Sequence, residues 1–167
     1  MLTFKGDRMQ RRRNESEQKN IKFTGSEITL AAKLLDKLSS SLEIVYYCME
    51  HGEKSAVVVI LMSAKEIDLQ EVLTKEKRET DILIEIDHDE SMFALICQDT
   101  HIDGGYHFAE RLLENTKEAK GNQIYCSAIE VRTTRDDIRY IILNLTEMYV
   151  KSKREAISGK ILFKTLN

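Results

Sequence analysis

Four consecutive ionisable residues, Asp87, His88, Asp89 and Glu90, stand between the apolar runs "ILIEI" and "SMFALIC". Three carboxylates and an imidazole could ligate a divalent cation or move protons, because hard cations take oxygen donors and histidine titrates near neutrality. The geometry of a tight turn opposes that chemistry: it splays alternate side chains and leaves carboxylates hydrated, so the same letters also make a solvated bend. Other signals fail sooner. The "SGK" at 158–160 has Arg154 where a phosphate-cradling loop would place its first glycine. Gly104-Gly105 lacks the third glycine of a dinucleotide loop and reads as a close packing contact or a local weakness in a helix. His101 and His107 are six residues apart, on different helical faces, and the chain has no HExxH, paired CxxC or GxSxG pattern.

Whatever the 87–90 turn does, two strands must hold it. "DILIEID" alternates, with Ile82, Ile84 and Ile86 on one face and Asp81, Leu83, Glu85 and Asp87 on the other. "MFALIC" is apolar on both faces and predicts an interior partner, so 81–98 reads as a hairpin. Upstream, Ser26 is a candidate N-cap for a helix carrying Ile28, Ala31, Ala32, Leu35, Leu38 and Leu42 on one face and stopping near His51-Gly52. "SAVVVILM" is short, β-branched and continuously apolar, as a strand covered on both faces would be. A modest helix to about Glu79 follows it. Beyond the hairpin the pattern predicts a helix from about His101 to Lys120, a strand in "NQIYCSAIEV", a helix from about Asp136 to Lys153 and a last strand in "KILFK". A sheet containing a hairpin, with helices packed on it, is an α+β sandwich of the ferredoxin-like kind, with a mainly antiparallel central sheet.

The 167 residues, 42% hydrophobic, suffice for one domain with a single sizeable core. Residues 1–22 carry seven Lys and Arg against three acids, a balance of +4, so the remainder of a chain with net charge −3 stands near −7. The reading is therefore a basic, unstructured arm over 1–22 and a domain over 23–167. An acidic body repels polyanions, and nucleic acid is expected to meet only the arm, with its "RRR" at 11–13. No apolar run reaches the roughly 20 residues of a membrane span, and a soluble, cytoplasmic protein is expected. Cys48, Cys97 and Cys126 lie far apart in apolar segments, which suits reduced core thiols rather than a disulfide scaffold. Tyr46 and Tyr47 beside Ile44 and Val45 give the first helix more apolar width than one stripe requires, and the surplus is expected to meet another subunit.

The order of elements and several sequence fragments together resemble the GGDEF domain of diguanylate cyclases, in altered form, over residues 23–165. "FTGSEITLAAKLLDKL" resembles that family's opening "LTGLxNR" segment and helix; "SAVVVILMSA" resembles its first strand. "RETD" matches its RxxD inhibitory site, and after the five-residue spacer Ile82–Ile86, "DHDES" (Asp87, His88, Asp89, Glu90, Ser91) stands where GGDEF would be. "FALICQDTHIDGGYHFAERLLEN" is similar to the strand and helix that follow the signature, and "AISGKILF" to the closing stretch.

The resemblance implies that Asp89 and Glu90 stand at the signature acids, which bind metal in the family; because two extra residues precede "FALIC", the alternative register sets Asp89-Glu90-Ser91-Met92-Phe93 at the signature instead. Asp87 and His88 replace the glycines that let the backbone approach a nucleotide. Where the family's first strand ends in a metal-holding Asp, this chain has Leu61, Met62 and Ser63, and Lys65-Glu66-Ile67-Asp68 runs almost directly into the next helix, without the substrate segment. Two-metal phosphoryl chemistry is therefore not expected, and neither is a catalytic residue. Arg78 and Asp81 are the best-preserved pair: an Arg fork can grip phosphate or a guanine edge and a carboxylate can accept from guanine N–H groups, which suits cyclic di-GMP. RxxD is also a common pattern at a helix end in so charged a chain. The expectation is a catalytically inactive signalling domain, answering to cyclic di-GMP or another nucleotide and acting through a protein partner or homodimer. The alternative is an interaction module with no nucleotide ligand, and an active nucleotidyl cyclase is a more distant third.

Overall fold

Thr24, not Ser26, starts the first helix. In the computed structural model, which describes residues 22–52, 56–116 and 123–166, the Thr24 side chain receives the Glu27 N–H (3.4 Å) and the Glu27 carboxylate receives the Thr24 N–H (3.0 Å). This reciprocal capping box satisfies two of the N–H groups that a helix start leaves unpaired. Ser26 is already inside the helix, its hydroxyl turned to that of Thr24. Helix α1 (Gly25–Glu50) then runs to His51, where Gly52 at φ +78° gives the left-handed stop expected of it. Its buried stripe is Ala31, Leu34, Leu38, Leu42 and Val45 with Tyr46. That is rotated from the expected stripe: Ile28 is left exposed and Leu35 half-buried, because α1 packs against a second helix as well as the sheet. The basic arm read over 1–22 lies, but for Lys22, outside the described residues.

The remaining elements are β1 (Val57–Ala64), α2 (Leu69–Glu76), β2 (Ile82–Asp87), β3 (Met92–Gln98), α3 (Ile102–Thr116), β4 (Ile124–Val131), α4 (Ile138–Arg154) and β5 (Ile161–Leu166). Helix α2 is shorter than expected: Lys77 is already extended, which opens the turn that carries Arg78 and Asp81. The five strands form one sheet in the order β2-β3-β1-β4-β5. The pairs β2·β3, β3·β1 and β1·β4 are antiparallel; β4·β5 is parallel, and α4 makes the crossover such a pair requires. The expected α+β sandwich with a mainly antiparallel sheet and an 81–98 hairpin is the observed one.

Successive residues of a strand point to opposite faces, so β1 feeds two cores. Val57, Val59 and Leu61 join α1 and α4 on one face; Val58, Ile60 and Met62 join α2 and α3 on the other. All eight residues of β1 are buried, as its unbroken apolar run implies. Gly105, in the first turns of α3, is a close packing contact: a Cβ there would lie 2.9 Å from Val58 Cγ2. The three cysteines are free thiols, and burial pushes those of Cys97 and Cys126 up to about 12, beyond reactivity near neutral pH. Among the described residues no helix is long and apolar enough to cross a membrane.

Candidate functional site

Two places hold the residues singled out by sequence, at opposite ends of the sheet. The first is the hairpin tip. Strict alternation would place Asp87 on the α2–α3 face, but a bulge shifts the register between Glu85, opposite Phe93, and Asp87, opposite Met92. The bulge re-aims Asp87 to the α1 side. There its carboxylate takes a hydrogen bond from Lys33 Nζ at 2.9 Å and one from the Glu90 N–H at 3.2 Å. The Lys33 bond, seconded by the Glu90 N–H, holds the Asp87 carboxyl below the ordinary aspartate value. A second lysine of α1, Lys37, donates to the Glu85 carbonyl (3.1 Å).

His88 and Asp89 are exposed at the apex, as a solvated bend would have them, whereas Asp87 and Glu90 are half-buried and tied down. Glu90 lies between Lys65 Nζ (3.8 Å) and Lys153 Nζ of α4 (3.7 Å). Ser91 closes the turn at φ +48°, a left-handed conformation that costs a residue with a Cβ about 1 kcal/mol. Behind the tip is a cavity of about 510 Å³ with Leu30, Met92 and Tyr149 among its lining residues. Tyr149, buried to 1% exposure, shares a 2.7 Å hydrogen bond with Ser63. Burial, only partly offset by that bond, raises its hydroxyl to about 12, so the pair stays neutral.

The metal implied by the resemblance does not fit these residues. Ser63 stands near the place of the missing acid and is engaged by Tyr149; Asp87 is held by Lys33, and Glu90 is flanked by two ammonium groups. Among the described residues no three His, Cys, Asp or Glu side chains converge on a possible ion site. A divalent cation would compete with Lys33 for Asp87 and with Lys65 and Lys153 for Glu90, while Asp89 is exposed at the apex.

The second place is the α2–β2 turn. Asp81 is nearly buried, and its oxygens are engaged by Arg78: the Arg78 N–H donates to Oδ2 (2.8 Å), and Nε and Nη2 donate to Oδ1 (3.2 and 2.9 Å). Nη2 also reaches the Gln98 carbonyl (2.9 Å) and the Thr100 hydroxyl (2.6 Å) across on the β3–α3 connection. The two residues that the resemblance singles out as ligand-binding are bonded to each other: the carboxylate faces inward and the guanidinium, 53% exposed, faces out. Sequence reading missed Gln98 and Thr100, which no short pattern links to Arg78, and Glu130. The fully buried carboxylate of Glu130 receives the Ile102 N–H at the start of α3 and Arg132 Nε (2.7 Å).

No family model matches the chain, and no curated protein matches it in sequence. Solved structures do. Diguanylate cyclase SiaD of Pseudomonas aeruginosa, in complex with its activator SiaC, superimposes with a TM-score of 0.61 at 13% identity, over 97% of this chain and 69% of that one. The GGDEF domain of DgcB from Caulobacter crescentus, in complex with c-di-GMP, gives 0.63 at 8% identity over 75% of this chain and 87% of that one. The active GGEEF domain of a Vibrio cholerae diguanylate cyclase gives 0.57 at 14% identity over 72% and 89%. With the hairpin, its tip and the RxxD turn placed as described, the chain has a GGDEF-like fold.

Proposed function

We propose that this chain is a catalytically inactive GGDEF-like signalling domain whose output passes through a protein partner. The observation that carries the reading is the hairpin tip, where side chains stand in place of a glycine-lined cradle and Asp87 is bonded to Lys33. A nucleotide triphosphate brought there would meet side chains at Asp87 and His88 where its backbone cradle should be, and carboxylates already engaged by Lys33, Lys65 and Lys153 rather than free to hold a metal. SiaD, a structural neighbour, was solved in complex with its activator SiaC, which supports a protein partner for this chain. Incubation with GTP and magnesium, followed by chromatography of the nucleotides, is expected to return GTP unchanged; formation of a cyclic dinucleotide would overturn the proposal.

A second reading, cyclic di-GMP as the regulating ligand, is favoured by the outward guanidinium of Arg78. Anchored by Asp81, Gln98 and Thr100, it presents a fixed, half-exposed plane able to stack on a base or bond a phosphate. DgcB, of the same fold, was solved with c-di-GMP. Calorimetry with cyclic di-GMP is expected to give heat that Arg78→Ala abolishes. Silence in that titration would leave a pure interaction module.

A further inference from the structure

The sheet has two edges, and they are built differently. The β2 edge carries Glu85 and Asp87, is broken by the bulge and is partly covered by Lys37 on the Glu85 carbonyl. These are the devices by which an edge strand is kept from pairing with another chain. Among the described residues the β5 edge has no bulge and no side chain laid over its backbone: its register against β4 is regular from Ile161 to Leu166, and its one charge, Lys164, is drawn back to Asn144 Oδ1 of α4 at 2.7 Å.

Which backbone groups β5 offers follows from its pairing. The Leu166 carbonyl accepts from the Arg132 N–H, so Leu166 points its N–H and C=O toward β4. In a parallel pair the direction alternates; Leu162, Lys164 and Leu166 therefore serve β4, while Ile161, Phe163 and Thr165 turn theirs outward. The flanks of this row are aromatic. Tyr106 of α3, 41% exposed, lies with its ring 6.2 Å from that of Phe163, on one face of the strand. On the other face, Tyr140 of α4, 48% exposed, sits one helical turn before the Asn144 that holds Lys164.

We propose that β5 pairs antiparallel with β5 of a second copy, joining two five-stranded sheets into one across a two-fold axis. The axis lies perpendicular to the sheet, so residues of the same parity must face one another. Setting Phe163 opposite itself places Ile161 opposite Thr165 of the partner subunit, and each of the three outward residues both donates and accepts. Sliding by one step to put Lys164 opposite itself would set like charges in contact. The chosen register instead sets Lys164 opposite the partner's Leu162 and lines up Tyr106, Phe163 and their two symmetry mates in one aromatic row. Tyrosines flanking an apolar strip are typical of protein interfaces.

The test is sedimentation velocity on the full chain over a range of concentrations. Ile161→Pro removes an outward N–H at a place where an isolated edge strand tolerates proline. Leu162→Lys and Leu162→Glu are equally polar, but the first sets like charges against the partner's Lys164 and the second sets opposite ones. The wild type is expected to dimerise, Ile161→Pro and Leu162→Lys to weaken the dimer about tenfold or more, and Leu162→Glu to bind more tightly than Leu162→Lys by at least that factor, with circular dichroism unchanged in all three. A wild-type monomer at every attainable concentration would overturn the proposal. So would a dimer indifferent to the sign of the charge at 162, or one dissolved by Tyr47→Asp on α1.

Discussion

A missing methyl group decides how closely α3 approaches the sheet. At Gly105 an added Cβ would press on both methyls of Val58, at 2.9 and 3.0 Å, and Val58 is fully buried with a stiff side chain. Gly105→Ala gains about 1 kcal/mol in helix propensity, but overpacking of this kind costs about 1–3 kcal/mol. Net destabilisation of about 1 kcal/mol is expected in urea unfolding, with the sign reversed in a Val58→Ala background, where the methyl finds room. Asp87 offers a pH test at the same scale. Its carboxyl is held below the ordinary value of 3.8, chiefly by Lys33, so the folded state binds its proton less readily than the unfolded chain does. That contribution is complete above the ordinary value and fades as pH falls through the lower, folded one. Asp87→Asn is expected to cost about 1 kcal/mol at neutral pH, and the difference from wild type should vanish as urea midpoints are followed into acid.

At the scale of elements, what could be read from the chain was whatever depends on near neighbours. The eight-residue apolar run of β1, the hairpin and the order of helices and strands follow from periodicity, and the structure contains them. Asp87's face could not be read, because a bulge reverses alternation without leaving a mark in composition. The inward turn of Asp81 depends on where β3 and α3 meet, and the Tyr149–Ser63 bond joins residues 86 apart. Glu130 was hidden in the same way: inside "AIEV" it reads as an ordinary strand residue, yet its carboxylate receives the first N–H of α3 from 28 residues away. Helix starts favour negative charge. Glu130→Ala would strand the Ile102 N–H and leave Arg132 without its buried partner, at a cost of about 3 kcal/mol, whereas Glu130→Gln keeps an acceptor and is expected to cost less than half as much. Hydrogen exchange at Ile102 should accelerate beyond that of the β1 amides in both variants; uniform acceleration would refute the capping role.

For the whole molecule, the question is whether two cores on opposite faces of one sheet melt together. Among the described residues the α1–α4 core and the α2–α3 core lie on opposite faces of the sheet, and β1 supplies buried side chains to both in strict alternation. Ile60 points to one core and Leu61 to the other, each no more than 1% exposed. Truncating either to alanine removes buried methyl groups and leaves a cavity, at a cost of about 2–5 kcal/mol. If β1 couples the layers, Ile60→Ala must lower the unfolding midpoint of α1 as much as that of α3, and Leu61→Ala must do the same in reverse. Amide exchange followed at Leu38 and at Leu112 through a urea series reads both layers at once, and coincident curves in both variants are the expected result. Separate transitions would mean that the α1–α4 layer can loosen while α2 and α3 stay docked. The hairpin tip would then be mechanically independent of the Arg78 turn, because Lys33 and Lys153 hold it to the first layer while Arg78 is bonded to the connection into α3.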